Sequence, residues 1–254
     1  MQDDINKLYS TSTSWGLHFS VHKCARLNFS RSPGVPVVPD YFLGHDPIPN
    51  ACQYHDLGVL VDTSLKFHLH IREVYGKAVG VASSILRGTL CHSSEFMAKI
   101  FVTHVRPIID YASVVWNTGF IGDVQLLERI QRYWTKRIDG LRELSYDQRL
   151  QHLELFSIKG RLLRSDLIQT WKILNGFCPE LEELFSVPPL NSTRGHSMKI
   201  FLPRSNTDIR SRFFSVRVIP IWNSLPEVVV SSSSLASFKH KLGIYLSPAL
   251  YDYY

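Results

Sequence analysis

Alternating apolar and polar residues predict short strands in the amino-terminal part of the chain. From Lys23 to Ser30 every second residue is apolar, as in a half-buried strand. The segments Tyr41–Leu43 and Leu57–Val61 indicate further short strands, and Asp46-Pro47 marks a turn between them. We therefore expect a small antiparallel sheet fragment within residues 1–66.

After the predicted strands, the apolar residues recur with the period of an α-helix. Between Ile71 and Leu86 the apolar residues recur at steps of three and four, which is typical of one helical face. Ser93 or Ser94 can cap a second helix. Pro107 should kink or divide that helix, because proline removes a backbone donor and clashes with the preceding turn.

A third helix carries a group of basic residues. Its apolar seam consists of Val124, Leu127, Gln131, Trp134 and Ile138. Arg129, Arg132 and Lys136 lie at steps of three and four on a different face, so their side chains point together. We call these three residues the basic stripe. It is either a solvated helix face or a surface for phosphates, and the pattern leaves both readings open.

Helix caps mark the ends of two more helices. Ser145 and Gln148 have the spacing of a capping box, and Ser157 is placed to cap the next helix. That helix should end at Asn175-Gly176, which suits the left-handed conformation that closes a helix.

The carboxyl-terminal part mixes several kinds of element. Pro188-Pro189 and the polar residues after it predict a linker. A strand is predicted at Lys199–Leu202 and a last helix at Leu235–Leu246. Taken together, the patterns predict an α+β fold that is mainly α: a small antiparallel sheet fragment, then a helical region, then a mixed carboxyl-terminal region.

Composition excludes several classes of protein. A chain of 254 residues with 44% apolar residues can bury a core. No window approaches the ~18 apolar residues that would span a membrane, and the first residues do not have the pattern of a signal peptide. The four cysteines are scattered and favour neither a zinc ribbon nor a disulfide framework. We expect a soluble intracellular protein, in the nucleus or the cytoplasm.

Positive charge is concentrated near the carboxyl end. The formal net charge is +6. Within residues 194–217 six basic residues stand against Asp208 alone: Arg194, Lys199, Arg204, Arg210, Arg212 and Arg217. Such a local excess attracts a phosphate backbone, although many basic surfaces bind nothing specific.

Short motifs recur along the chain in a definite order. They are Ser14-Trp15-Gly16-Leu17-His18-Phe19, Tyr54-His55-Asp56-Leu57-Gly58-Val59, Val105-Arg106-Pro107, Leu127-Glu128-Arg129-Ile130-Gln131-Arg132, Asn175-Gly176, Thr193-Arg194-Gly195-His196, Arg212-Phe213-Phe214-Ser215, and Trp222-Asn223 with Leu225-Pro226. In order and spacing they resemble the carboxyl-terminal part of reverse transcriptases from non-LTR (LINE-type, jockey-like) retrotransposons. The resemblance covers nearly the whole chain.

The resemblance implies four segments. They are the end of the palm at 1–66, a helical thumb at 67–176, a linker at 177–197 and a basic post-thumb region at 198–254. It also implies that the catalytic carboxylates lie upstream of the tract that begins this chain; in two-metal enzymes such carboxylates hold a pair of Mg²⁺ ions. We expect no cofactor and assign no catalytic or metal-binding residue.

The function expected on this basis is that of a truncated RNA-directed DNA polymerase. It should bind template-primer nucleic acid, either RNA or an RNA–DNA hybrid, without polymerising. Its other expected partners are the missing palm and fingers, and no membrane is expected. A stand-alone nucleic-acid-binding module and a non-functional remnant of a decayed element are the alternatives, so whether the chain is an enzyme stays open.

Seven basic residues are the candidate nucleic-acid contacts. They are Arg129, Arg132, Lys136, Arg194, Arg210, Arg212 and Arg217. Asp56, Leu57 and Gly58 resemble the turn at which the family's palm meets the primer strand, where glycine allows close approach of the backbone. A plain hairpin turn with Leu57 in the core is the alternative.

Asp3 and Asp4 are not assigned to catalysis. The family's catalytic hairpin has two aspartates, but it is flanked by apolar strands. Here the aspartates are at the start of a segment with helical spacing. Acidic side chains at that position interact favourably with the positive end of the helix dipole. We therefore expect them to begin a helix.

Overall fold

The computed structural model describes residues 1–29, 39–187 and 195–246. Of the described residues, 58% are helical and 7% are in strands, and each sheet formed by them has two strands. The prediction of an α+β fold that is mainly α is therefore confirmed. The chain divides into two compact units, Met1–Leu69 and His70–Tyr254.

The first unit opens with helix α1, Gln2–Ser14. Asp3 and Asp4 occupy its first turn, which confirms that they begin a helix. The side-chain amide of Gln2 exchanges two hydrogen bonds with the backbone of Phe42, at 2.9 and 3.0 Å. These bonds attach the start of α1 to the strand that contains Phe42.

The described residues of the first unit also form six short strands. They are β1 (Arg26–Leu27), β2 (Phe42–Leu43), β3 (Asp46–Pro47), β4 (Asn50–Ala51), β5 (Gln53–Asp56) and β6 (Val59–Asp62). The pairs β2–β3 and β5–β6 are antiparallel, as expected, whereas β1–β4 is parallel. The strand predicted from Lys23 to Ser30 is shorter than expected, because a 3₁₀ turn occupies Val21–Lys23 and only Arg26 and Leu27 pair; Ser30 lies outside the described residues.

The other helices of the described residues begin at His68 and continue through the second unit. They are α2 (His68–Gly88), α3 (Ser94–Ile100), α4 (Arg106–Asp110), α5 (Ser113–Trp116), α6 (Ile121–Thr135), α7 (Tyr146–His152) and α8 (Ile158–Leu174), followed by α9 (Asp208–Ser211), α10 (Phe214–Arg217), α11 (Ile219–Ser224), α12 (Glu227–Val230) and α13 (Leu235–Leu246). A π-helical turn, Phe101–Val105, joins α3 to α4, which begins at Arg106. The regular α-helical hydrogen bonding is therefore interrupted shortly before Pro107. The helical backbone continues through Pro107 to Asp110, so the predicted division of the helix at Pro107 is not observed.

Helix α6 is held by its apolar seam. Leu127, Gln131 and Trp134 are buried, as the sequence predicts. The indole of Trp134 donates to the carbonyl oxygen of Met97 at 3.1 Å and packs against Phe101, with ring centroids 5.6 Å apart. The buried face fixes which side chains of α6 remain outside.

Two of the three predicted caps are present, whereas Ser93 occupies the N-cap position of α3 without a capping hydrogen bond from its side chain. Ser145 and Gln148 form a complete capping box at the start of α7, and the Ser157 hydroxyl accepts from the backbone nitrogen of Gly160 in α8. Gly176, which follows the end of α8, has φ +74°, a conformation that glycine adopts without strain.

A buried carboxylate connects α6 to the start of α8. Glu128 accepts from the backbone nitrogens of Ile158 and Lys159 at 3.1 and 3.3 Å, and from the hydroxyl of Tyr146. Its burial raises the pKa of the carboxyl, because the charged form loses its water. Unpaired helix amides are satisfied in this way.

The predicted thumb and post-thumb regions share one hydrophobic core. Trp171 of α8 stacks on Phe238 of α13, with centroids 5.5 Å apart, and both belong to a cluster that also includes Ile200, Trp222 and Leu242. Within the predicted linker, Pro179–Leu184 forms a 3₁₀ helix, while Pro188-Pro189 lies outside the described residues.

The strand predicted at Lys199–Leu202 is wrong. Its residues have no strand partner, because the side chain of Asn223 takes the place of a neighbouring strand. Asn223 accepts from the nitrogen of Ile200 at 3.0 Å and donates to its carbonyl oxygen at 2.8 Å. The nitrogen of Phe201 bonds to the carbonyl of Ser186 at 2.8 Å.

Candidate nucleic-acid interface

The basic stripe lies on the solvent side of α6. Arg129, Arg132 and Lys136 are all exposed, and Lys136 directly follows the last residue of the helix. The guanidinium of Arg132 rests over the ring of Tyr146 at 4.4 Å, so its position is defined by a cation–π contact. The stripe therefore presents three cations on one surface of the helix.

A groove adjoins the carboxyl end of the stripe. It has a volume of about 920 Å³ and extends from the end of α2 to the loop after α6. Its charged lining consists of Arg87, Lys136, Arg137, Arg142 and Asp139. Four permanent cations thus face one acid, and Lys136 belongs to both the groove and the stripe. We call this feature the basic groove.

One wall of the groove is a stacked pair of side chains. The guanidinium of Arg137 lies 3.6 Å from the centroid of the Tyr133 ring, and its Nη1 donates to the carbonyl oxygen of Tyr133 at 3.0 Å. The Tyr133 hydroxyl is 3.4 Å from the hydroxyl of Ser83 in α2. These contacts hold a flat, positively charged wall in place.

The groove was not predicted from the sequence. Arg87 and Arg142 belong to segments far apart in the chain, and of the four cations of the groove only Lys136 is predicted from the sequence as a candidate contact. A local feature does help to form it: the nitrogen of Asp139 donates to the carbonyl oxygen of His92 at 3.0 Å, and Gly140 turns the chain with φ +74°. The sequence signal for the groove was Gly140, which follows the basic end of α6 and indicates a turn there.

The candidate arginines of the post-thumb region have different environments. Arg194 lies outside the described residues. Arg210 is exposed, with its guanidinium 5.3 Å from the Phe213 ring. Arg212 is half-buried: its Nε donates to both oxygens of Asp208, at 2.9 and 3.0 Å, and its guanidinium lies 4.0 Å from the Phe120 ring.

Arg217 is engaged within the protein. Its Nε and Nη2 donate to the two carboxylate oxygens of Asp166 at 2.9 and 2.8 Å. The same guanidinium donates to the backbone carbonyls of Arg212 and Val114, at 3.0 and 2.9 Å. A phosphate could reach this group only by breaking a buried ion pair. Burial raises the pKa of Asp166 to about 6 in spite of Arg217, so the pair is ionised at pH 7.

The candidate primer-contact turn is an exposed hairpin turn. Leu57 and Gly58 have φ values of +45° and +83° and connect β5 to β6, a geometry typical of a tight two-residue hairpin. Leu57 is 86% exposed, so it is not a core residue. The alternative that placed Leu57 in the core is therefore wrong, while the hairpin turn itself is present.

The residues present do not fit a two-metal centre. Asp3 and Asp4 are exposed neighbours in the first turn of α1, and Asp4 pairs with the amino group of Met1 at 3.2 Å. In residues 1–29, 39–187 and 195–246, no three His, Cys, Asp or Glu side chains are grouped as metal ligands. In the same ranges, no helix has the length and apolar character needed to cross a membrane.

Comparison with known proteins finds a similarity to an uncharacterized protein. The chain is 26% identical over 125 residues to the uncharacterized protein B0403.1 of Caenorhabditis elegans. The aligned part represents 48% of this chain and 63% of that protein. No protein-family model matches the chain, and no solved structure is similar to it.

Proposed function

We propose that this chain is a carboxyl-terminal part of a non-LTR retrotransposon reverse transcriptase and that it binds the sugar-phosphate backbone of RNA or an RNA–DNA hybrid. The family assignment is supported by the ordered motifs of the sequence. The binding assignment is supported by the basic groove, in which four cations face one acid. The groove is the observation that carries the proposal.

The charge of the groove favours an anionic ligand. Its lining offers guanidinium and ammonium groups, which contact phosphates, beside the apolar side chains of Leu86 and Ile138. The basic stripe continues from Lys136 along α6, so phosphates could be contacted over the length of a helix and not at a single point. The flat wall of Arg137 on Tyr133 would suit stacking with an unpaired base.

Binding of this kind carries little sequence information. Phosphate contacts position a protein on nucleic acid, whereas base-edge contacts specify a sequence. In the proposal, the chain holds nucleic acid and does not polymerise, because its amino-terminal aspartates are exposed on a helix and do not form a metal centre. The other partners in the proposal are the palm and fingers of the polymerase.

The experiment is a comparison of two equally neutralised variants. Arg87→Gln, Lys136→Gln and Arg142→Gln together remove three cations of the groove. The matched control, Arg72→Gln, Lys77→Gln and Lys99→Gln, removes three exposed cations outside it. We expect the groove variant to lose at least about tenfold in affinity for an RNA–DNA hybrid, or about 1.4 kcal/mol, while the control changes little. An equal loss of affinity in the groove variant and the control variant would show that the groove is not a specific binding site.

A further inference from the structure

Three arginines and one aspartate gather between α4 and α8, away from the basic groove. They are Arg106 and Asp110 of α4, and Arg161 and Arg164 of α8, and we call them the arginine cluster. Arg161 forms an ion pair with Oδ2 of Asp110. Arg164 donates from Nη2 to the carbonyl oxygen of Lys239 at 3.2 Å. The cluster thus contains three guanidiniums and one carboxylate.

Several buried polar atoms of the cluster have no hydrogen-bond partner among the described residues. Arg106 is only 9% exposed, yet its Nε and Nη2 are unpaired. The Nε atoms of Arg161 and Arg164 are also buried and unpaired, as is Oδ1 of Asp110. Buried polar groups are nearly always paired, so this concentration of unpaired donors beside one unpaired acceptor needs an explanation.

The electrostatics show that one carboxylate does not balance the cluster. Burial, and then the charge of Arg161, lowers the pKa of Arg106 to about 10. The pKa of Arg164 is lowered by the same two causes. In both cases the stabilising effect of Asp110 is the smallest of the three. The site therefore lacks negative charge.

We propose that the arginine cluster binds inorganic phosphate, which keeps a P–OH at neutral pH. Guanidiniums donate paired N–H groups to phosphate oxygens, which would satisfy the unpaired nitrogens of Arg106, Arg161 and Arg164. Oδ1 of Asp110 needs a donor, and the P–OH of such a phosphate supplies one. A phosphodiester or a sulfate offers only acceptors at neutral pH. The ligand therefore differs from the backbone phosphates assigned to the groove.

The cluster reaches the protein surface at Arg161 and Asp110. The side chains of Arg161 and Asp110 are each 22% exposed, whereas Arg106 lies deeper. A phosphate entering past the Arg161–Asp110 pair would meet Arg106 behind it. The competing explanation is internal: Arg106 and Asp110 are four residues apart on α4, so a turn of the Arg106 side chain could pair them without a ligand.

Titration calorimetry with sodium phosphate and sodium sulfate, at pH 7 and constant ionic strength, separates these explanations. We expect phosphate to bind the intact chain at least about tenfold more tightly than sulfate, and Arg106→Met to weaken phosphate binding by at least about tenfold. The exposed Arg72 supplies the control, Arg72→Met, which should bind phosphate as the unchanged chain does. If Arg106→Met does not fold, Arg106→Lys serves in its place, because it keeps the charge but loses the paired donors.

Three results would overturn the proposal. They are the absence of phosphate binding, equal binding of sulfate and phosphate, and unchanged phosphate binding in the Arg106 variant. The first of these is the result expected if Arg106 pairs with Asp110. Thermal unfolding gives a second measurement, since phosphate should raise the Tm of the intact chain but not that of the Arg106 variant.

A last pair of probes tests whether the P–OH is required. The same RNA–DNA hybrid is offered with a 5′-phosphate or a 5′-hydroxyl. At pH 7 the 5′-phosphate is mainly the dianion, which offers only acceptors, because its second pKa is about 6. We therefore expect the intact chain to bind both hybrids equally. A preference for the phosphorylated end that disappears in Arg106→Met would show that the cluster needs no P–OH and would also overturn the proposal. The groove variant should retain phosphate binding, so failure of the proposed function would not be confused with failure of this site.

Discussion

Arg217 of α10 holds both carboxylate oxygens of Asp166 in α8, with hydrogen bonds of 2.9 and 2.8 Å. Asp166 is almost completely buried, and the amide of Asn117 approaches the same carboxylate at 3.5 Å. The ion pair therefore connects the predicted post-thumb region to the predicted thumb. In this environment the guanidinium of Arg217 is engaged within the protein, so it is not available as the surface contact that the charge pattern predicted.

Replacing Arg217 should destabilise the protein. Arg217→Gln leaves the Asp166 carboxylate without its partner and two backbone carbonyls without their donor. We expect the free energy of unfolding to fall by about 3 kcal/mol, measured by urea denaturation at pH 7. The control is Arg210→Gln at an exposed position, which should change stability by less than about 0.5 kcal/mol. Similar stabilities for the two variants would contradict a structural role for Arg217.

Local signals predicted the helices well. Two of these signals are the capping box of Ser145 and Gln148 and the end of α8 at Asn175-Gly176. Both depend only on residues that are neighbours in the sequence, so they can be predicted from the sequence alone. The apolar seam of α6 follows from the helical period alone. The same helical period predicted that the basic stripe lies on a different face of α6 from the buried seam.

Features that depend on distant residues were missed. The basic groove requires Arg87 to lie near Arg142, and the ion pair requires Arg217 to lie near Asp166. These residues are far apart in the sequence, so no local pattern predicts that they are close in the fold. The strand expected at Lys199–Leu202 was wrong for the same reason, because the partner of Ile200 is the side chain of Asn223.

Glu128 should make stability depend on pH. Burial raises the pKa of its carboxyl above the unfolded value, which is about 4.3. The folded state therefore binds more protons than the unfolded state between these two pKa values, and the contribution of Glu128 to stability falls as pH rises through that window. Glu128→Gln removes this titration while keeping an oxygen that can accept hydrogen bonds from Tyr146 and the start of α8.

The measurement is urea denaturation of the Glu128→Gln variant and the unchanged chain from pH 4 upward. The stability of the variant relative to the unchanged chain should increase with pH. Parallel curves would show that the folded state does not raise the pKa of Glu128.

Hydrogen exchange should distinguish the two compact units. The first unit has three separate two-stranded sheets, and such small sheets are marginal by themselves. We expect amides of the β5–β6 hairpin to exchange much faster than those of α6, whose seam is buried. Equal protection of Tyr54 and Ile130 would contradict this expectation.

Primer extension should be absent. Because Asp3 and Asp4 are exposed at the start of α1, we expect no template-dependent incorporation with Mg²⁺ or Mn²⁺. Incorporation that is lost in Asp3→Asn and Asp4→Asn would show that these aspartates are catalytic, against our assignment.

The salt dependence of binding to an RNA–DNA hybrid tests the central claim most directly. If the basic groove contacts phosphates, the logarithm of the affinity should fall linearly with the logarithm of the salt concentration, by about 0.9 for each neutralised phosphate, as for B-form DNA. The variant Arg87→Gln, Lys136→Gln and Arg142→Gln should reduce that slope by about two to three, while the matched change at Arg72, Lys77 and Lys99 leaves it nearly unchanged. An affinity that does not depend on salt, or a slope that is the same in all three proteins, would contradict the account.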